Sequence, residues 1–410
     1  MILTPADLSG RLKPLKVSIS YVITTKLYFS RTWRTRAVRR SFVPLLILLS
    51  ACTSSATTSE TSSTDAPPVE ESVVEEGQQE PAPVEEIVGE TTETTAATVA
   101  PTVAPTDESS IYPASPLSNV TADLDGALLG VSTGLTRAER APRFRSLEAE
   151  AGRQFDIGHV FHAWDQAIPT DDDLMHLEDG RILMISWNGT DTIEIQNGLH
   201  DDWIRTQATS VRELEQPVML RWLWEMDANR RRDWVHSGED FVGAWNHVRG
   251  IFDEVGADNA QFVWCPNEFL FWDADEGGGN PDEWYPGDDN VDWLCADGYN
   301  WQTSVDHPDW ISFDRIFEDF VAWAEPRNLP IVIGETGSNE AADDAEGKGD
   351  WLRSLPGILE NDLPAIDAVV YFDKDFTFND QPDWRLDTTS ESFAAWNDVA
   401  NDPYFNPLAQ

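Results

Sequence analysis

Eight short apolar segments in the C-terminal part of the chain constrain its fold more than any other feature. Each has the length of a buried strand, and most are rich in the β-branched and aromatic residues that strands favour. They span residues 128–132, 157–164, 182–187, 218–225, 261–265, 291–299, 331–335 and 366–372. Eight strands that alternate with helices over about 295 residues match the size and order of one α/β fold, the (β/α)8 TIM barrel.

The segments between these strands carry helix signals. Thr170 precedes three aspartates, which is typical of a capped and acidic first turn. Residues 241–255 place apolar side chains at helical spacing and stop at Gly256, and Ser312 precedes a similar stretch at 313–323. A doubly wound open sheet is the alternative arrangement, but no Gly-rich phosphate-binding loop follows the first strand.

A basic leader precedes this domain. The first 52 residues contain nine Lys or Arg and a single acid, Asp7, and residues 41–52 form an apolar run that ends at Cys52. The run is too short to span a bilayer but suits a secretory signal. Because Leu49-Ser50-Ala51-Cys52 resembles a bacterial lipobox, we expect lipid on Cys52; an ordinary cleaved signal is the alternative.

The leader is longer than a typical signal. Residues 38–52 alone make a compact lipoprotein signal, and no Met lies between Met1 and Met175. We therefore expect translation to start at Val38, or at Leu27, through an alternative start codon. The product would be an extracytoplasmic, membrane-anchored lipoprotein, or a secreted protein if Cys52 carries no lipid.

Residues 53–115 differ in composition from both of their neighbours. They are dominated by Ser, Thr, Ala, Pro, Val and Glu, with 13 acids and no Lys or Arg. Such a segment cannot bury enough apolar surface to offset the entropy lost on ordering, so we expect a disordered acidic linker. The chemistry of the protein is therefore expected in the remaining domain, residues 116–410.

The 116–410 domain is strongly acidic. It holds 59 acidic residues against 19 Lys or Arg, which gives a formal charge of −40. This charge argues against nucleic acid and anionic membrane surfaces as partners, so that a lipid anchor at Cys52 is the only membrane contact we expect. Cys265 and Cys295 each sit in an apolar run, so we expect two buried free thiols.

The fourth apolar segment contains an arginine and ends in a carboxylate. Side chains alternate along a strand, so one face is expected to carry Met219, Arg221, Leu223 and Glu225. Glu225 would then lie at the carboxyl end of the strand, where parallel α/β folds bind their ligands. A buried Arg in such an apolar run must be paired. The alternative is an ordinary buried strand whose last Glu is solvated.

Acidic and aromatic side chains dominate the carboxyl ends of the other predicted strands. Glu335 ends the seventh strand and would face Glu225 across the barrel mouth. Two carboxylates flanked by flat rings suit glycoside hydrolysis, since one protonates the leaving oxygen and the other attacks or activates water. The sequence has no triad-like Ser/His pair and no His/Cys cluster at metal spacing, so we expect no metal and no cofactor. Four scattered histidines are interpreted as structural or solvated: His162, His200, His236 and His247.

The run Arg221-Trp222-Leu223-Trp224-Glu225-Met226-Asp227 resembles the acid/base strand of glycoside hydrolase family 26. That family is best known for endo-β-1,4-mannanases and also includes β-1,3-xylanases and mixed-linkage β-glucanases. Further matching motifs lie in order at residues 198–203, 241–248, 256–259, 263–267, 284–289, 291–293, 297–301 and 334–338. The resemblance is specific from residue 198 to residue 338 and diffuse toward both ends of the domain.

The resemblance implies a retaining, endo-acting β-glycanase. Glu225 corresponds to the general acid/base and Glu335 to the nucleophile, and the two carboxyl groups of a retaining enzyme lie about 5–5.5 Å apart. Tyr299 would hydrogen-bond near the nucleophile, and Arg221 would orient the carboxylates from beneath. The substrate-binding residues it implies are Trp224, Trp301, Trp187, Trp234, Trp284 and Asn267.

Two positions depart from the family pattern. The family usually has His immediately before the acid/base and Asn two residues after it, whereas this chain has Trp224 and Asp227. Because a Trp there would change the rim that contacts the sugar, we expect a β-glucan or another non-mannan β-glycan to be the better substrate. The alternative is that strict strand alternation from Glu225 turns Trp224 outward against a helix.

Three functions are compatible with the leader and the domain. The first is a retaining β-glycanase that hydrolyses a β-linked polysaccharide of the mannan or β-glucan class outside the cell. The second is a surface barrel lipoprotein that binds polysaccharide without turning it over. The third, a periplasmic solute-binding lipoprotein, predicts two doubly wound lobes instead of eight strand–helix units. The presence of both Glu225 and Glu335 favours the first.

Overall fold

The structure is a computed structural model that describes residues 124–134, 136–274, 277–301, 310–340, 347–377 and 382–407. The predicted leader, the lipidation site Cys52 and the linker lie outside these residues. Within the described ranges, no helix has both the length and the apolar character that crossing a membrane requires.

Eight parallel strands form a closed barrel in which each strand pairs with its neighbours in chain order and the last returns to the first. They are β1 (Leu128–Thr133), β2 (Ile157–His162), β3 (Ile182–Trp187), β4 (Val218–Trp222), β5 (Ala260–Trp264), β6 (Trp293–Asn300), β7 (Ile331–Ser338) and β8 (Ile366–Asp373). All eight coincide with the predicted apolar segments. The predicted (β/α)8 barrel is therefore confirmed.

The main helices lie between the strands. They are α1 (Arg137–Ala151), α2 (Asp171–Glu178), α3 (Thr192–Gln196), α4 (Asp201–Glu213), α5 (Gly238–Val255), α6 (Phe313–Ala324), α7 (Gly347–Asn361) and α8 (Ser390–Ala400). The Thr170 side chain accepts a hydrogen bond from the Asp173 N–H at the start of α2, as its capping signal predicts. Gly256 ends α5 with φ of 73°, a backbone conformation that glycine adopts without strain.

Two apolar layers hold the barrel together. The larger one fills the space between the strands and the helices, and it contains fully buried tryptophans such as Trp222, Trp245 and Trp264. The smaller one fills the barrel interior with inward-facing side chains such as Met184, Met219 and Val332. Many of the 18 Trp residues therefore serve packing and not ligand binding. Above the inner apolar layer, at the carboxyl ends of the strands, the inward side chains become polar.

The end of β4 differs from the expected alternation. The strand stops at Trp222, and both Leu223 and Glu225 have φ of 49°, which non-glycine residues rarely adopt. The Leu223 N–H donates to the Trp187 carbonyl at 2.9 Å, and the Glu225 N–H donates to the Cys265 carbonyl at 2.7 Å. This turn packs Leu223 between barrel and helices and Trp224 against the inner layer. The predicted shared face of Leu223 and Glu225 is wrong, and so is an outward Trp224.

Cys265 and Cys295 form a disulfide, so the expectation of two free thiols is wrong. Cys265 directly follows β5, and Cys295 lies in the neighbouring strand β6. Both side chains face the barrel interior, where their Cα atoms are 4.3 Å apart. The apolar runs predict the burial of each sulfur correctly. They carry no information about which strands become neighbours, and that adjacency makes the bond possible.

Candidate active site

Arg221 is the inward-facing side chain of β4 directly above the inner apolar layer. It is fully buried, and its guanidinium donates to three groups on three other strands. Its Nε donates to Ser186 Oγ at 2.7 Å, Nη1 to Asp297 Oδ1 at 2.7 Å, and Nη2 to Glu335 Oε1. Burial alone would lower the pKa of Arg221, but the charges of Asp297 and Glu335 outweigh it and raise the pKa above its ordinary value. The guanidinium is therefore a permanent cation beneath the barrel mouth.

Glu335 lies near the end of β7 and is 5% exposed. Tyr299 Oη donates to its second carboxylate oxygen, Oε2, at 2.7 Å, so both oxygens of Glu335 have a donor. The register of β7 shifts against both neighbouring strands near this residue. Irregularities of this kind re-aim side chains at active sites. Here the irregularity accompanies a Glu335 side chain that reaches Arg221 and Tyr299 inside the barrel, as the sequence predicted.

Asp297 and Tyr299, the two titratable groups beside Glu335 on β6, both have raised pKa values. Burial raises the pKa of Asp297 well above its usual range, and the charge of Glu335 adds to this rise against the effect of Arg221. Asp297 is therefore shifted toward its protonated form beside the Arg221 cation. Burial and the same two carboxyl groups raise the pKa of Tyr299 well above 10. Tyr299 thus stays a neutral phenol that donates to Glu335.

Glu225 lies at the barrel mouth immediately beyond β4 and is 8% exposed. Its carboxylate forms an ion pair with Arg230, whose side chain is 60% exposed. The left-handed backbone at Glu225 and the hydrogen bond from its N–H to the Cys265 carbonyl fix the direction in which the side chain projects from the backbone. Glu225 and Glu335 are therefore both at the mouth, where the sequence placed them.

Trp224 is held at the mouth by arginines on two sides. The guanidinium of Arg231 lies 4.7 Å from the Trp224 ring centroid and 5.1 Å from that of Trp234, so it is sandwiched between the two indoles. Arg231 also donates to the Trp224 carbonyl at 3.1 Å and to the Asn188 side chain. From below, Arg221 lies 5.5 Å from the Trp224 ring. Trp224 is therefore a fixed part of the mouth, and Trp234 supports it through Arg231.

A second group of carboxyls lies between the ends of β4 and β5. Asp227 accepts hydrogen bonds from the Asn267 N–H at 3.1 Å and from Asn267 Nδ2 at 3.0 Å. Burial nevertheless raises the pKa of Asp227 to about 6. Desolvation, together with the charge of Asp227, raises the pKa of Glu268 to about 8. Asn267, predicted to bind substrate, is 8% exposed and positions Asp227.

The other predicted aromatic residues differ in their positions. Trp301 contacts Tyr299 and Trp384 at ring-centroid distances of 5.7 and 5.0 Å, so it lies beside the residue that donates to Glu335, and its role as a sugar platform stays a prediction. Trp187 is fully buried and stacks on Trp164 at 4.8 Å, so the prediction that Trp187 binds substrate is wrong. Trp284 packs against Phe241 of α5 and its carbonyl accepts from Trp264, which is a packing role.

Several mouth residues were not identified from the sequence. Their position in the chain is the one signal that could have identified them. They occupy the next inward-facing positions of strands β2, β3, β6 and β8, or they lie in the chain after β8. They are Phe161, Ser186, Asp297, Phe372, Lys374 and Trp384. The histidines agree with their structural interpretation, because each has a carboxylate partner: His162 with Asp173, His200 with Glu194, His236 with Asp191, and His247 with Asp201.

Comparison with known proteins gives sequence relatives and structural neighbours. No family model matches the chain. It is 28% identical over 299 residues to endoglucanase H of Acetivibrio thermocellus, covering 69% of this chain and 31% of that protein. It is 32% identical over 162 residues to the β-1,3-xylanase TXYA of a Vibrio species, covering 38% of this chain and 30% of that protein. The chain thus spans about a third of the length of the curated relatives it matches.

The structural neighbours share the barrel fold. A β-mannanase of glycoside hydrolase family 26 from Bacteroides ovatus superposes with a TM-score of 0.50 at 13% sequence identity. The superposition covers 71% of this chain and 94% of the mannanase. At this identity the likeness is one of fold.

Gly334 provides a test of the Arg221 arrangement. A Cβ added at Gly334 would overlap Arg221 Nη1 and lie 2.6 Å from Cys295 Sγ. We predict that Gly334→Ala displaces Arg221 and lowers the free energy of unfolding by about 1–3 kcal/mol, the usual cost of overpacking. Denaturant unfolding of the variant measures this loss.

Gly357→Ala is the matched control for this substitution. Gly357 lies within α7 and has no atom within 4 Å of an added Cβ, so alanine there should keep or increase stability. A Gly334→Ala protein as stable as the unaltered protein, with Arg221 in place in its crystal structure, would contradict the arrangement.

Proposed function

We propose that the chain is a retaining β-glycanase of the family 26 type that cuts β-linked polysaccharide internally. The observation that carries the proposal is the Glu335 carboxylate, which is held by Tyr299 and Arg221 at the mouth of a closed barrel that also presents Glu225. The chemistry needs two carboxyl groups on opposite sides of a glycosidic bond, and the barrel mouth supplies both.

The groups around each carboxyl suit a distinct role. Glu335 attacks the anomeric carbon while Glu225 gives its proton to the leaving oxygen, so a glycosyl–enzyme ester forms and the glycosidic bond breaks. Water then attacks the anomeric carbon, Glu225 takes the proton from this water, and the bond between that carbon and Glu335 breaks, so that Glu335 leaves as a carboxylate. Arg221 and Tyr299 donate to Glu335 throughout, which favours its charged form before attack and after release.

The relatives support the substrate class. The sequence relatives are an endoglucanase and β-1,3-xylanases, and the structural neighbour above is a β-mannanase. All three kinds of enzyme act on β-linked glycans. A β-linked polysaccharide or oligosaccharide is therefore the substrate class we propose for this chain.

The catalytic pair can be tested by substitution. We predict that Glu335→Gln abolishes turnover because an amide cannot form the ester. Glu225→Ala should lower kcat/KM on polysaccharide about 10²–10⁴-fold, yet still cleave aryl glycosides whose leaving group needs no proton. Proton NMR of the first product should show the anomeric configuration of the substrate.

Glu254→Gln is the control for these substitutions, because Glu254 lies on the outer surface of α5 with its side chain 68% exposed. It should leave kcat/KM unchanged. Initial release of the inverted anomer, or turnover by Glu335→Gln, would overturn the assignment.

The ion pair between Arg230 and Glu225 favours a second candidate function. A cation on Glu225 stabilises its charged form, whereas a general acid must begin with a proton. A barrel that binds polysaccharide without turnover would tolerate this pair. Because the Arg230 side chain is 60% exposed, an incoming glycan can displace it, and we therefore favour the enzyme. Turnover of any β-glycan in a panel of mannans, xylans and mixed-linkage glucans decides between the two.

Trp224 supports a preference for a non-mannan substrate. An imidazole can donate and accept hydrogen bonds, whereas an indole only donates and is much larger. The Trp224 ring packs edge-to-face on Phe161 at 5.2 Å and is fixed by Arg231, so it occupies space at the mouth permanently. Mannose differs from glucose by its axial 2-hydroxyl, and a lost polar contact to a sugar hydroxyl can cost orders of magnitude in discrimination.

We predict that the unaltered protein has a higher kcat/KM on mixed-linkage β-glucan than on β-1,4-mannan. Trp224→His should shift this ratio toward mannan by about tenfold or more, because it restores an acceptor and space at the rim. Initial rates on both polysaccharides measure the ratio. A protein that already prefers mannan and whose ratio the substitution leaves unchanged would contradict the proposal.

We also propose that the domain works outside the cytoplasm on a lipid anchor at Cys52. The support is the lipobox-like Leu49-Ser50-Ala51-Cys52 and the acidic linker that follows it. Mass spectrometry of the native protein should find a diacylglycerol-modified Cys52 at its N-terminus, and Cys52→Ser should abolish membrane association. An unmodified N-terminus would contradict the anchor.

A further inference from the structure

Lys374 lies at the barrel mouth directly after β8. Inward positions alternate along this strand through Ala368 and Val370, and the next two inward positions are Phe372 and Lys374. The backbone is pinned on both sides, because the Lys374 N–H donates to the Phe372 carbonyl at 3.2 Å and its carbonyl accepts from the Trp384 N–H at 3.0 Å. The side chain is therefore held in the mouth and is not a mobile surface lysine.

The ammonium of Lys374 faces two aromatic rings. Its Nζ lies 3.8 Å from the ring centroid of Phe161 and 4.5 Å from that of Phe372. The residue is only 6% exposed. Within the described part of the chain its Nζ makes no hydrogen bond, and the atom keeps some contact with solvent at the mouth. The same two rings contact the catalytic surroundings, since Phe161 packs on Trp224 at 5.2 Å and Phe372 on Tyr299 at 5.9 Å.

A second buried lysine, Lys348, illustrates how the fold satisfies the hydrogen bonds of a buried ammonium that has a structural role. Lys348 of α7 is fully buried, and its Nζ donates to the Arg385 carbonyl at 2.7 Å and to Thr388 Oγ1 at 3.1 Å. Its donors are used within the fold, as buried polar groups require. Lys374 is nearly as buried as Lys348 but lacks its oxygen partners within the described part of the chain, and aromatic faces do not replace a hydrogen-bond acceptor.

We infer that Lys374 is a substrate-binding residue whose ammonium donates a hydrogen bond to a hydroxyl of a neutral sugar ring seated against Glu335. This inference rests on the proposed glycanase function and adds a specificity residue to it. A hydroxyl oxygen of the ligand supplies the hydrogen-bond acceptor that Lys374 Nζ lacks among the described residues. The position fits, because the Phe372 ring beneath Nζ contacts Tyr299, which in turn donates to Glu335.

A neutral sugar suits this site better than an acidic one. Glu225, Asp227, Asp297 and Glu335 all lie in the same mouth, and the whole chain carries a formal charge of −45. A polyanionic glycan would be repelled at long range and close to the reacting bond. A hydroxyl accepts from the ammonium without adding a charge to a site that already holds several carboxyl groups.

The charge state of Lys374 gives the inference a pH signature. Burial, helped by Arg140 of α1 and Arg221 of β4, lowers the pKa of Lys374 to about 7 against the opposing charges of Glu335 of β7 and Asp373 of β8. Phe161 of β2 and Phe372 of β8 carry no titratable group. Because the folded pKa lies below the ordinary value of 10.5, the ammonium is present below pH 7 and is lost as the pH rises through 7. Its contribution to sugar binding should weaken over the same range.

The test uses the purified full-length protein and the neutral β-glycan on which it is most active. Lys374→Met keeps an apolar side chain over Phe161 but removes the donor, so kcat/KM should fall about 10- to 100-fold. Its melting temperature should rise, because an unpaired buried ammonium is removed. Lys374→Arg keeps a charge that does not titrate near pH 7, so the rise of KM above pH 7 should disappear.

Lys348→Met is the matched control. It removes an ammonium whose partners lie within the fold, so its melting temperature should fall, with KM of the folded protein unchanged. A Lys374→Met protein that is destabilised in the same way would assign Lys374 a structural role and overturn the inference.

The remaining outcomes separate this inference from the proposed function. If the unaltered protein turns over a β-glycan and Lys374→Met is equally active, only the role of Lys374 is overturned. If Lys374→Met loses activity on a uronic-acid-containing glycan but keeps it on neutral ones, the ligand of Lys374 is a carboxylate and the hydroxyl assignment fails. If the unaltered protein cleaves no glycan in the panel, this result contradicts the proposed function and, with it, the inference about Lys374.

Discussion

The buried guanidinium of Arg221 is the interaction on which the barrel mouth depends. It brings β3, β6 and β7 into one network through Ser186, Asp297 and Glu335, and its charge offsets the two carboxyl groups to which it donates. Removing one partner from a buried ionic group leaves an uncompensated charge, which costs far more than the group contributes when intact. Burial raises the pKa of Asp297 and so favours its protonated form, and Gly334 leaves room for the guanidinium.

The sequence contains enough information for the architecture and for the positions of Glu225 and Glu335 at the barrel mouth. Apolar segments of strand length predicted all eight strands, because each is buried on both faces and needs no partner to be recognised. Glu225 and Glu335 were predicted at the mouth because carboxyl ends of parallel strands meet there. The bonds from Tyr299 and Arg221 to Glu335 agree with roles that came from the family resemblance.

Features that depend on neighbours distant in the chain could not be predicted. The Cys265–Cys295 disulfide requires knowledge that β5 and β6 bring two inward sulfurs together. The left-handed backbone of Leu223 and Glu225 overrides strand alternation, since bonds to β3 and to Cys265 turn the chain there. Strained backbone of this kind concentrates at functional sites. For the same reason, single-strand alternation did not show that Lys374 lies among Phe161, Phe372 and Glu335.

The central claim is that Glu335 forms a covalent bond to the sugar. The most direct measurement is to treat the protein with an activated 2-deoxy-2-fluoro β-glycoside of its best substrate and to map the product by mass spectrometry. The fluorine slows both the formation and the breakdown of the glycosyl–enzyme ester. The good leaving group offsets the effect on formation alone, so the ester accumulates. The account predicts one added fluoroglycosyl unit, on the peptide that contains Glu335. A protein that turns over β-glycan but gains no label, or carries the label on another residue, would contradict it.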